Sequence, residues 1–469
     1  MLAKFDINAR DALALAGEMF AASKFEEAGR LFQAAINIEP GSFEAHHGLG
    51  CSLAAVKKYA EALPWIDRAM GIALDKLMTA SQAMAVALGE MGRAPEAFHI
   101  LDGMLTLDPN NAALHYNRAI MLMQMNRFED AIDEFEVVLK LDPSVNSDFG
   151  SATYGRGFSN LVLGNYADGF RDFEHRLTLP LPEALAKVEQ WTGQDLDGKS
   201  IAVLGEMGSG DNIMFARYLA LMMAKWDVRI SCFMPKGLPQ AFAGMPGVEF
   251  FTTYTALDHL RPDYWVRIMS LGWCFKTTKA TIPPPAPLRF DDELLAKWRW
   301  FRGMGNQPHG DDPFRVGLCW AGSPKSKYDE HRTIPLRLLE PLIALKKRHP
   351  RLRFYGLQQD IREVDHAAAA VLDIEHIGEQ FANFADTAHA LKCLDLVITC
   401  DTSVAHMAGT VGVPTWVLLT TFRTYWLWVK GETRTAWYPS MTCFRQDTDG
   451  DWPGVVARVT GELETLMSR

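Results

Sequence analysis

Apolar and small residues recur at a regular spacing through the N-terminal third of the chain. Three segments each end in an apolar residue, an acidic residue and a proline. These prolines are Pro40, Pro109 and Pro143, and the first interval between them is twice the second to within one position. Proline ends a helix, because it lacks a backbone N–H and disfavours a helical residue before it. The pattern therefore predicts paired helices that repeat at the shorter interval, including a second unit that lacks the proline.

A spacing of about 34 residues, as between Pro109 and Pro143, is typical of tetratricopeptide repeats, and the segment 9–176 resembles such an array. The same small and large positions precede each proline: Ala28, Phe32 and Ala35; Ala97, Leu101 and Met104; Ala131, Phe135 and Val138. A degraded fifth unit at 165–173 is expected to cap the array. Such units pack on their neighbours and serve as interaction scaffolds. The residues expected on the partner-binding face are Phe20, His47, Tyr116, Asn117 and Met123.

The pattern changes after a proline-containing linker at 179–182. Short apolar runs alternate with helical segments, which predicts parallel, doubly wound sheets. The predicted strands are 201–204, 228–233, 249–251, 265–269, 314–320, 354–357, 394–399 and 415–419. A proline-rich stretch at 283–287 marks a boundary between two halves. Ligands of such sheets bind at the carboxyl ends of the strands.

A glycine loop follows the first predicted strand. Gly208, Gly210 and Asp211 lie between the strand at 201–204 and a helical stretch, and Glu206 precedes them. This order points backbone N–H groups at an anion. The loop has neither the third glycine of a dinucleotide fingerprint nor the lysine of a phosphate-binding P-loop. The residues alone leave two interpretations open, an anion site or a tight turn in which Asp211 caps the helix.

Polar side chains follow the strands of the second half and are expected to gather at one edge of its sheet. They are Ser323, Lys325, Lys327, Arg332, Gln358, Asp401, Thr402, Ser403 and His406. Structural alternatives exist: the lysines could be solvated, Asp401 could cap a helix, and His406 could be a core histidine. We interpret Trp426, Trp428 and Trp437 as packing and lid residues rather than a carbohydrate platform.

Composition narrows the function classes. The 469 residues carry 47 Lys and Arg against 57 Asp and Glu, a net charge of −10, without the basic footprint of a nucleic-acid-binding protein. The seven cysteines include no C-x-x-C pair, so we expect reduced thiols and a cytoplasmic location. Early polar residues argue against a signal peptide, and no apolar stretch is long enough for a membrane span. The D-x-D pairs at 195–197 and 449–451 follow no apolar strand and are predicted to be turns.

The segment from about residue 191 onward resembles the heptosyltransferase-like glycosyltransferases, family nine of that classification. The resemblance lies in GSGDNIMFARY at 208–218, VGLCWAG at 316–322, RTIPL at 332–336 and DLVITCDTSVAHMAG at 395–409. The chain looks like bacterial proteins that join tetratricopeptide repeats to such a domain. The resemblance implies a GT-B fold of two Rossmann-like halves. The domains would be the array at 1–180, an acceptor-side half at 181–290 and a donor-binding half at 291–469.

The resemblance also implies an inverting transfer from a sugar nucleotide, with no metal and no further cofactor. In the resembling enzymes the aspartate of the first loop removes the acceptor proton, a role that falls here on Asp211, with Glu206 as the alternative. Cations and N–H dipoles after the donor-half strands would meet the phosphate charge. The acceptor would be a protein recruited by the repeats, with flagellin as one candidate by analogy. The alternatives are a lipopolysaccharide or lipid-linked acceptor, or a non-catalytic repeat scaffold.

Overall fold

The computed structural model describes residues 8–73, 76–144, 146–147, 150–176, 180–299, 312–324, 326 and 329–468. The chain divides into two compact units, residues 1–159 and 160–469. The predicted site residues Lys325 and Lys327 lie outside the described residues.

The helical region consists of antiparallel pairs, as the repeat spacing predicts. The helices are α1 (Ala9–Ala21), α2 (Phe25–Ile38), α3 (Phe43–Ala55), α4 (Tyr59–Ile72), α5 (Leu77–Glu90), α6 (Ala94–Leu107), α7 (Ala112–Gln124), α8 (Phe128–Leu141), α9 (Ala152–Val162) and α10 (Tyr166–Phe173). A two-residue hairpin, β1 (Asn146–Ser147) and β2 (Gly150–Ser151), precedes α9. Asn8, Ser42 and Asn111 cap their helices by accepting a backbone N–H, which satisfies an otherwise unpaired donor.

Small residues allow the paired helices to approach closely. Ala28 and Ala35 are fully buried on α2, and a Cβ on Gly48 would overlap the ring of Phe32. Tyr116, which we expected on the partner-binding face, is instead only 2% exposed and packs edge-on against Phe135. A residue at that depth contributes to the core of the repeat.

The second unit contains two wholly parallel sheets. The first has the order β3-β7-β4-β5-β6, and the second has the order β10-β9-β8-β11-β12-β13. The first-sheet strands are β3 (Glu189–Gln190), β4 (Ser200–Leu204), β5 (Arg229–Phe233), β6 (Val248–Phe251) and β7 (Tyr264–Arg267). The second-sheet strands are β8 (Phe314–Cys319), β9 (Leu352–Gly356), β10 (Glu375–His376), β11 (Leu396–Cys400), β12 (Thr415–Leu419) and β13 (Met441–Arg445). Every predicted strand is present, and β3, β10 and β13 are additional.

The second sheet has the 3-2-1-4-5-6 strand order of the doubly wound dinucleotide-binding fold. Its order reverses between β8 and β11, where Val316 lies beside Leu396. A crevice forms at such a reversal, because the connections on its two sides leave in opposite directions. The first sheet has a corresponding reversal between β4 and β7. The parallel α/β architecture predicted for the two halves is therefore present.

The helices of the second unit after α10 are mostly short. They are α11 (Ser209–Phe215), α12 (Arg217–Lys225), α13 (Pro239–Phe242), α14 (Leu257–Leu260), α15 (Leu271–Cys274), α16 (Asp292–Arg299), α17 (Asp329–Arg332), α18 (Glu340–Ile343), α19 (His366–Val371), α20 (Phe384–Lys392), α21 (Ser403–Val411) and α22 (Trp452–Met467). The segment 336–347 is α18 flanked by two 3-10 turns. Pro341 lies in the first turn of α18, a position that proline suits because no N–H is needed there.

The two compact units divide inside α9, at 159/160, whereas the predicted boundary is at residue 180. The helix α10 carries the aromatic positions of the degraded fifth repeat and packs within the second unit. The ring centroid of Phe170 lies 5.6 Å from that of Trp426, and the indole Nε1 of Trp437 donates to the Tyr166 hydroxyl at 3.2 Å. Trp426, Trp428 and Trp437 are buried, in agreement with their interpretation as packing residues. Aromatic burial of this kind makes α10 part of the α/β unit.

Candidate functional site

A cleft of about 1090 Å³ lies at the carboxyl ends of the strands of both sheets in the second unit. It brings together ten of the predicted site residues: Gly208, Gly210, Asp211, Ser323, Arg332, Gln358, Asp401, Thr402, Ser403 and His406. Glu206 is not among its lining residues. The cleft is the size of a small-molecule site and is large enough for a nucleotide with an attached sugar.

The glycine loop brings the first sheet to the cleft. Gly208 is the N-cap of α11, and its N–H donates to Oδ2 of Asp211 at 2.9 Å. The side-chain amide of Asn212 stabilises the loop, because it donates hydrogen bonds to the carbonyl oxygens of Glu206 and Gly208, both at 2.8 Å. Met207 has a left-handed φ of 55°, a conformation that non-glycine residues rarely adopt. The structure thus contains the turn, in which Asp211 accepts a hydrogen bond from the N-cap residue, and it places Asp211 at the cleft. The anion site stays a prediction.

Asp211 also contacts the other half of the unit. The hydroxyl of Tyr425 donates to Oδ1 of Asp211 at 2.5 Å. Burial raises the pKa of the Asp211 carboxyl to about 6, although the hydrogen bonds from Tyr425 and Gly208 oppose the rise. The Asp401 and Glu206 carboxylates raise this pKa further. A carboxylate with a pKa near neutrality can accept a proton and later release it, as a general base requires.

The structure places Glu206 in a buried ion pair. Its two oxygens accept hydrogen bonds from Arg176, at 2.7 Å from Nη2 and 3.1 Å from Nε, and the Met269 N–H donates at 3.1 Å. Arg176 also binds Glu174 at 2.8 Å. A carboxylate that is satisfied in this way, away from the cleft, holds loop elements together. Glu206 is therefore not brought to the reacting position that its role as alternative base requires.

Two arginines that line the cleft, Arg332 and Arg362, bind the same carboxylate, that of Asp329. Arg332 donates from Nε to Oδ1 of Asp329 at 2.8 Å, and Arg362 pairs with the other oxygen of the same carboxylate. Arg332 Nη1 also donates to the Asp401 carbonyl oxygen at 3.1 Å. The cleft wall thus carries two guanidinium groups on one buried carboxylate, and the Asp401 carboxyl also acts on Arg332. The arrangement suits an anionic ligand, because guanidinium binds phosphate with directed hydrogen bonds.

The helix α21 begins at the same place. Thr402 caps it by accepting the Val404 N–H at 3.2 Å, so the cap is Thr402 rather than Asp401. Burial raises the pKa of Asp401, against the influence of the Trp428 indole and Arg332. The N-terminus of a helix of nine residues adds a partial positive charge to the arginine pair. Gln358 holds the neighbouring loop, because its Oε1 accepts the Ala321 N–H at 3.2 Å.

His406 lies one turn into α21 and is buried. Its Nδ1 is 3.2 Å from the Tyr438 hydroxyl. Burial and the nearby charge of Arg217 lower the pKa of His406 to about 3, so the imidazole is neutral at physiological pH. It is thus both the buried histidine and the cleft-lining residue that the sequence offered as alternatives.

The lining residues that were not predicted from the sequence include Lys236, Arg362, Arg423 and, as a partner of Asp211, Tyr425. Arg423 and Tyr425 follow β12, and Arg362 follows β9, so the rule that polar groups gather after parallel strands could have indicated them. Arg423 has a left-handed φ of 48°. Strained backbone in a non-glycine residue concentrates at functional sites.

Both D-x-D pairs lie in turn or loop segments, as predicted, although the second pair comes after β13, a strand that was not predicted from the sequence. The Asp227 N–H donates to Asp197 at 2.9 Å, and Asp451 caps α22 by accepting the Gly454 N–H at 2.9 Å. Within the described ranges, no group of three or more His, Cys, Asp or Glu side chains has an arrangement that could hold a metal ion. Among the helices that the structure describes, none has the length and apolar character to cross a membrane.

The repeat region is similar to known tetratricopeptide repeat proteins. Residues 90–151 match the family model of the tetratricopeptide repeat, which confirms the repeats predicted from the sequence. Solved structures similar to part of the chain include MamA 41-end from Desulfovibrio magneticus RS-1, 19% identical with a TM-score of 0.30, covering 36% of this chain and 90% of that one. YrrB, described as a TPR protein with an unusual peptide-binding site, is 17% identical with a TM-score of 0.29, covering 36% and 84%.

Two curated proteins extend the comparison. DnaJ homolog subfamily C member 7 of Mus musculus is 32% identical over 94 residues, 20% of this chain and 18% of that protein. Protein FlbA of Caulobacter vibrioides (strain ATCC 19089 / CIP 103742 / CB 15) is 25% identical over 459 residues, which cover 92% of this chain and 74% of that protein. The chain thus contains tetratricopeptide repeats, and its similarity to Protein FlbA extends beyond them into the second unit.

Proposed function

We propose that the second unit is a GT-B glycosyltransferase and that the repeat array recruits its protein acceptor. The observation that carries the proposal is the pairing across one cleft of Asp211, whose pKa is about 6, with the Arg332–Arg362 pair and the N-terminus of α21. A base on one side and an anion-binding wall on the other is the arrangement that sugar transfer from a nucleotide needs.

In the proposed reaction the acceptor oxygen attacks the anomeric carbon of the donor from the side of Asp211. The new glycosidic C–O bond forms as the bond to the phosphate oxygen breaks, and that electron pair stays on the leaving nucleotide. Asp211 takes the proton of the acceptor hydroxyl. Arg332, Arg362 and the N–H groups at the start of α21 meet the charge that develops on the phosphate. Attack opposite to the leaving group inverts the anomeric centre.

The array supplies a surface for the acceptor. The first unit has a cavity of about 320 Å³ lined by His47, Cys51, Gln82 and Val86, among others. His47 is one of the residues predicted to contact a partner. We propose a protein acceptor, with flagellin as a candidate by the family resemblance, and a reaction in the cytoplasm.

The test is a thermal-shift screen of nucleotides and sugar nucleotides on the full chain. A ligand at 100 times its dissociation constant stabilises the folded state by about 2.7 kcal/mol, a readily measured shift. Donors that bind are then incubated with the full chain and candidate acceptor proteins, with and without a chelator. The mass of the intact acceptor is measured by mass spectrometry. We expect a mass gain of one sugar in both conditions. A chain that binds partners through its repeats but no nucleotide would instead be a non-catalytic scaffold.

A further inference from the structure

Tyr425 is held firmly at the edge of the cleft. It lies in the loop after β12, and its ring centroid is 5.4 Å from that of Trp426. Trp426 is fully buried and packs edge-on against Phe170 and Trp437. The aromatic cluster therefore fixes the direction in which the Tyr425 hydroxyl points, and that hydroxyl meets Oδ1 of Asp211 at 2.5 Å.

The two oxygens of Asp211 are held from different halves of the unit. Gly208, in the loop of the first sheet, donates to Oδ2, whereas Tyr425, in a loop of the second sheet, donates to Oδ1. A carboxylate offers about four lone-pair sites, so each oxygen keeps one for an acceptor hydroxyl. Without the Tyr425 bond, the carboxylate could turn about its Cβ–Cγ bond and its orientation would depend on one contact.

We propose that Tyr425 is a positioning residue for the general base, which orients the Asp211 carboxylate from the opposite half of the second unit. The inference rests on the proposed function. It assigns to the donor half a direct influence on the acceptor-side base. Donor and acceptor chemistry are coupled, because the loop that carries Tyr425 also lines the cleft through Arg423 and Phe422.

The charges around Asp211 determine what the loss of this bond does. The groups whose charges act on it are Asp401, which precedes α21, Glu206, which precedes the glycine loop, and Tyr438, which precedes β13. His406 of α21 lies against the neighbouring Gly210, and Arg423 in the loop after β12 lines the same cleft. The two carboxylates raise the pKa of Asp211, and the Tyr425 hydrogen bond lowers it. Tyr425→Phe removes one stabilising bond to the charged form and leaves both repulsive charges. The pKa of Asp211 should therefore rise in this variant.

The experiment follows the titration of the Asp211 carboxyl by carbon NMR on full-length protein labelled in aspartate. Asp211→Asn identifies the resonance. We expect the midpoint to move up by about one pH unit in Tyr425→Phe, since a hydrogen bond to a charged group is worth about that much. Tyr254→Phe is the matched control, because that tyrosine is partly exposed and lies outside the cleft, and it should leave the midpoint unchanged. An unmoved midpoint in a folded Tyr425→Phe protein would overturn the proposal.

Kinetics separate the inference from the proposed function. In Tyr425→Phe the acidic limb of kcat/KM should shift to higher pH with the NMR midpoint, so transfer at pH 6 falls several-fold while transfer at pH 8 recovers. Combined with Asp211→Asn, Tyr425→Phe should have no further effect on turnover. If Asp211→Asn keeps full turnover, the assignment of the base fails. If Asp211→Asn loses turnover but Tyr425→Phe shifts neither limb nor midpoint, only the role of Tyr425 fails.

Discussion

Gly210 of the glycine loop lies directly against the imidazole of His406 in α21. A Cβ added at Gly210 would come within 2.6 Å of the His406 Cδ2 atom. Each residue belongs to a different half of the second unit, and both line the cleft. The absence of a side chain at Gly210 thus lets α11 approach α21 and sets the width of the cleft at its base.

Gly210→Ala should separate these two helices. His406 is buried against Tyr438 and cannot turn away, so the extra methyl group costs about 1–3 kcal/mol of unfolding free energy. We expect a lower melting temperature and reduced nucleotide affinity. Gly461→Ala is the control, because Gly461 lies in α22 with nothing within 4 Å and alanine favours the helix there. Equal melting temperatures for wild type and Gly210→Ala would show that the contact is not restrictive.

Asp211→Asn should abolish the base while keeping the shape of the loop. General-base catalysis is worth about 10²–10⁴-fold, so turnover should fall by that order. Donor affinity should stay within a few-fold, because the anion-binding groups are on the other half. In the wild type, turnover should rise with pH through about 6 as the carboxyl ionises. The pH dependence of turnover and a nucleotide titration check the prediction.

The same substitution should also change stability in a pH-dependent way. The pKa of Asp211 is raised in the folded state, so its contribution is fully present below the unfolded pKa and is lost as pH rises through about 6. The amide that replaces the carboxyl does not titrate, so the Asp211→Asn variant should not lose this part of its free energy of unfolding as pH rises. The melting temperature of the variant relative to wild type should therefore be higher at pH 8 than at pH 4. A purely structural aspartate would give a lower melting temperature at pH 8 with turnover nearly intact.

Glu206→Gln should act on stability rather than on turnover. It leaves the buried Arg176 charge without its main partner, and breaking a buried pair in this way costs about 3–5 kcal/mol. Turnover per folded molecule should stay near the wild-type value. Glu249→Gln, on the exposed face of β6, is the control and should have little effect on either quantity. A loss of turnover at an unchanged melting temperature would transfer the role of base to Glu206.

Arg332→Ala should weaken nucleotide binding. The loss of a charge-assisted hydrogen bond costs about 1.5–3 kcal/mol, or roughly 10–100-fold in affinity. Arg337→Ala removes an equal charge from an exposed position outside the cleft and should leave affinity unchanged. Calorimetric titration of both variants with the best ligand of the thermal-shift screen gives the comparison. Equal affinity in Arg332→Ala and wild type would exclude a phosphate contact by this arginine.

Two N-terminal truncations should differ in whether they fold, because only one of them keeps α10. A protein that starts at residue 152 keeps α10 and should fold, bind nucleotide and lose its protein acceptor. A protein that starts at residue 177 lacks Phe170, Phe173 and Arg176, which are buried in the second unit. Removing even one buried phenylalanine side chain costs about 3–5 kcal/mol. Melting curves should show a cooperative transition only for the longer protein. Stable folding of the shorter one would place the domain boundary at the position predicted from sequence.

Features that depend on local periodicity could be predicted from the amino-acid sequence. The regular spacing of prolines and small residues indicated the paired helices, and the apolar runs indicated the strands of two parallel sheets. Because parallel strands end at one edge of a sheet, polar residues as distant as Ser323 and Asp401, which both follow strands of the second sheet, could be expected at one cleft from the sequence. The position of Asp211 at the same cleft was expected only from the family resemblance, because Asp211 follows a strand of the first sheet. The helix and strand predictions succeeded because each rests on a regularity along the chain, the interval of about 34 residues in the array and the short apolar runs in the sheets, that the packing of the elements imposes.

The pairing of side chains across the fold, by contrast, depended on tertiary packing. Glu206 and Asp211 are five residues apart in one loop, yet the first binds Arg176 of the α10 region and the second faces the cleft. Tyr425 reaches Asp211 from 214 residues away, and α10 leaves the repeat pattern to pack on tryptophans of the α/β unit. No local pattern encodes such contacts, since they depend on how whole elements dock and on which buried charge finds a partner at that distance.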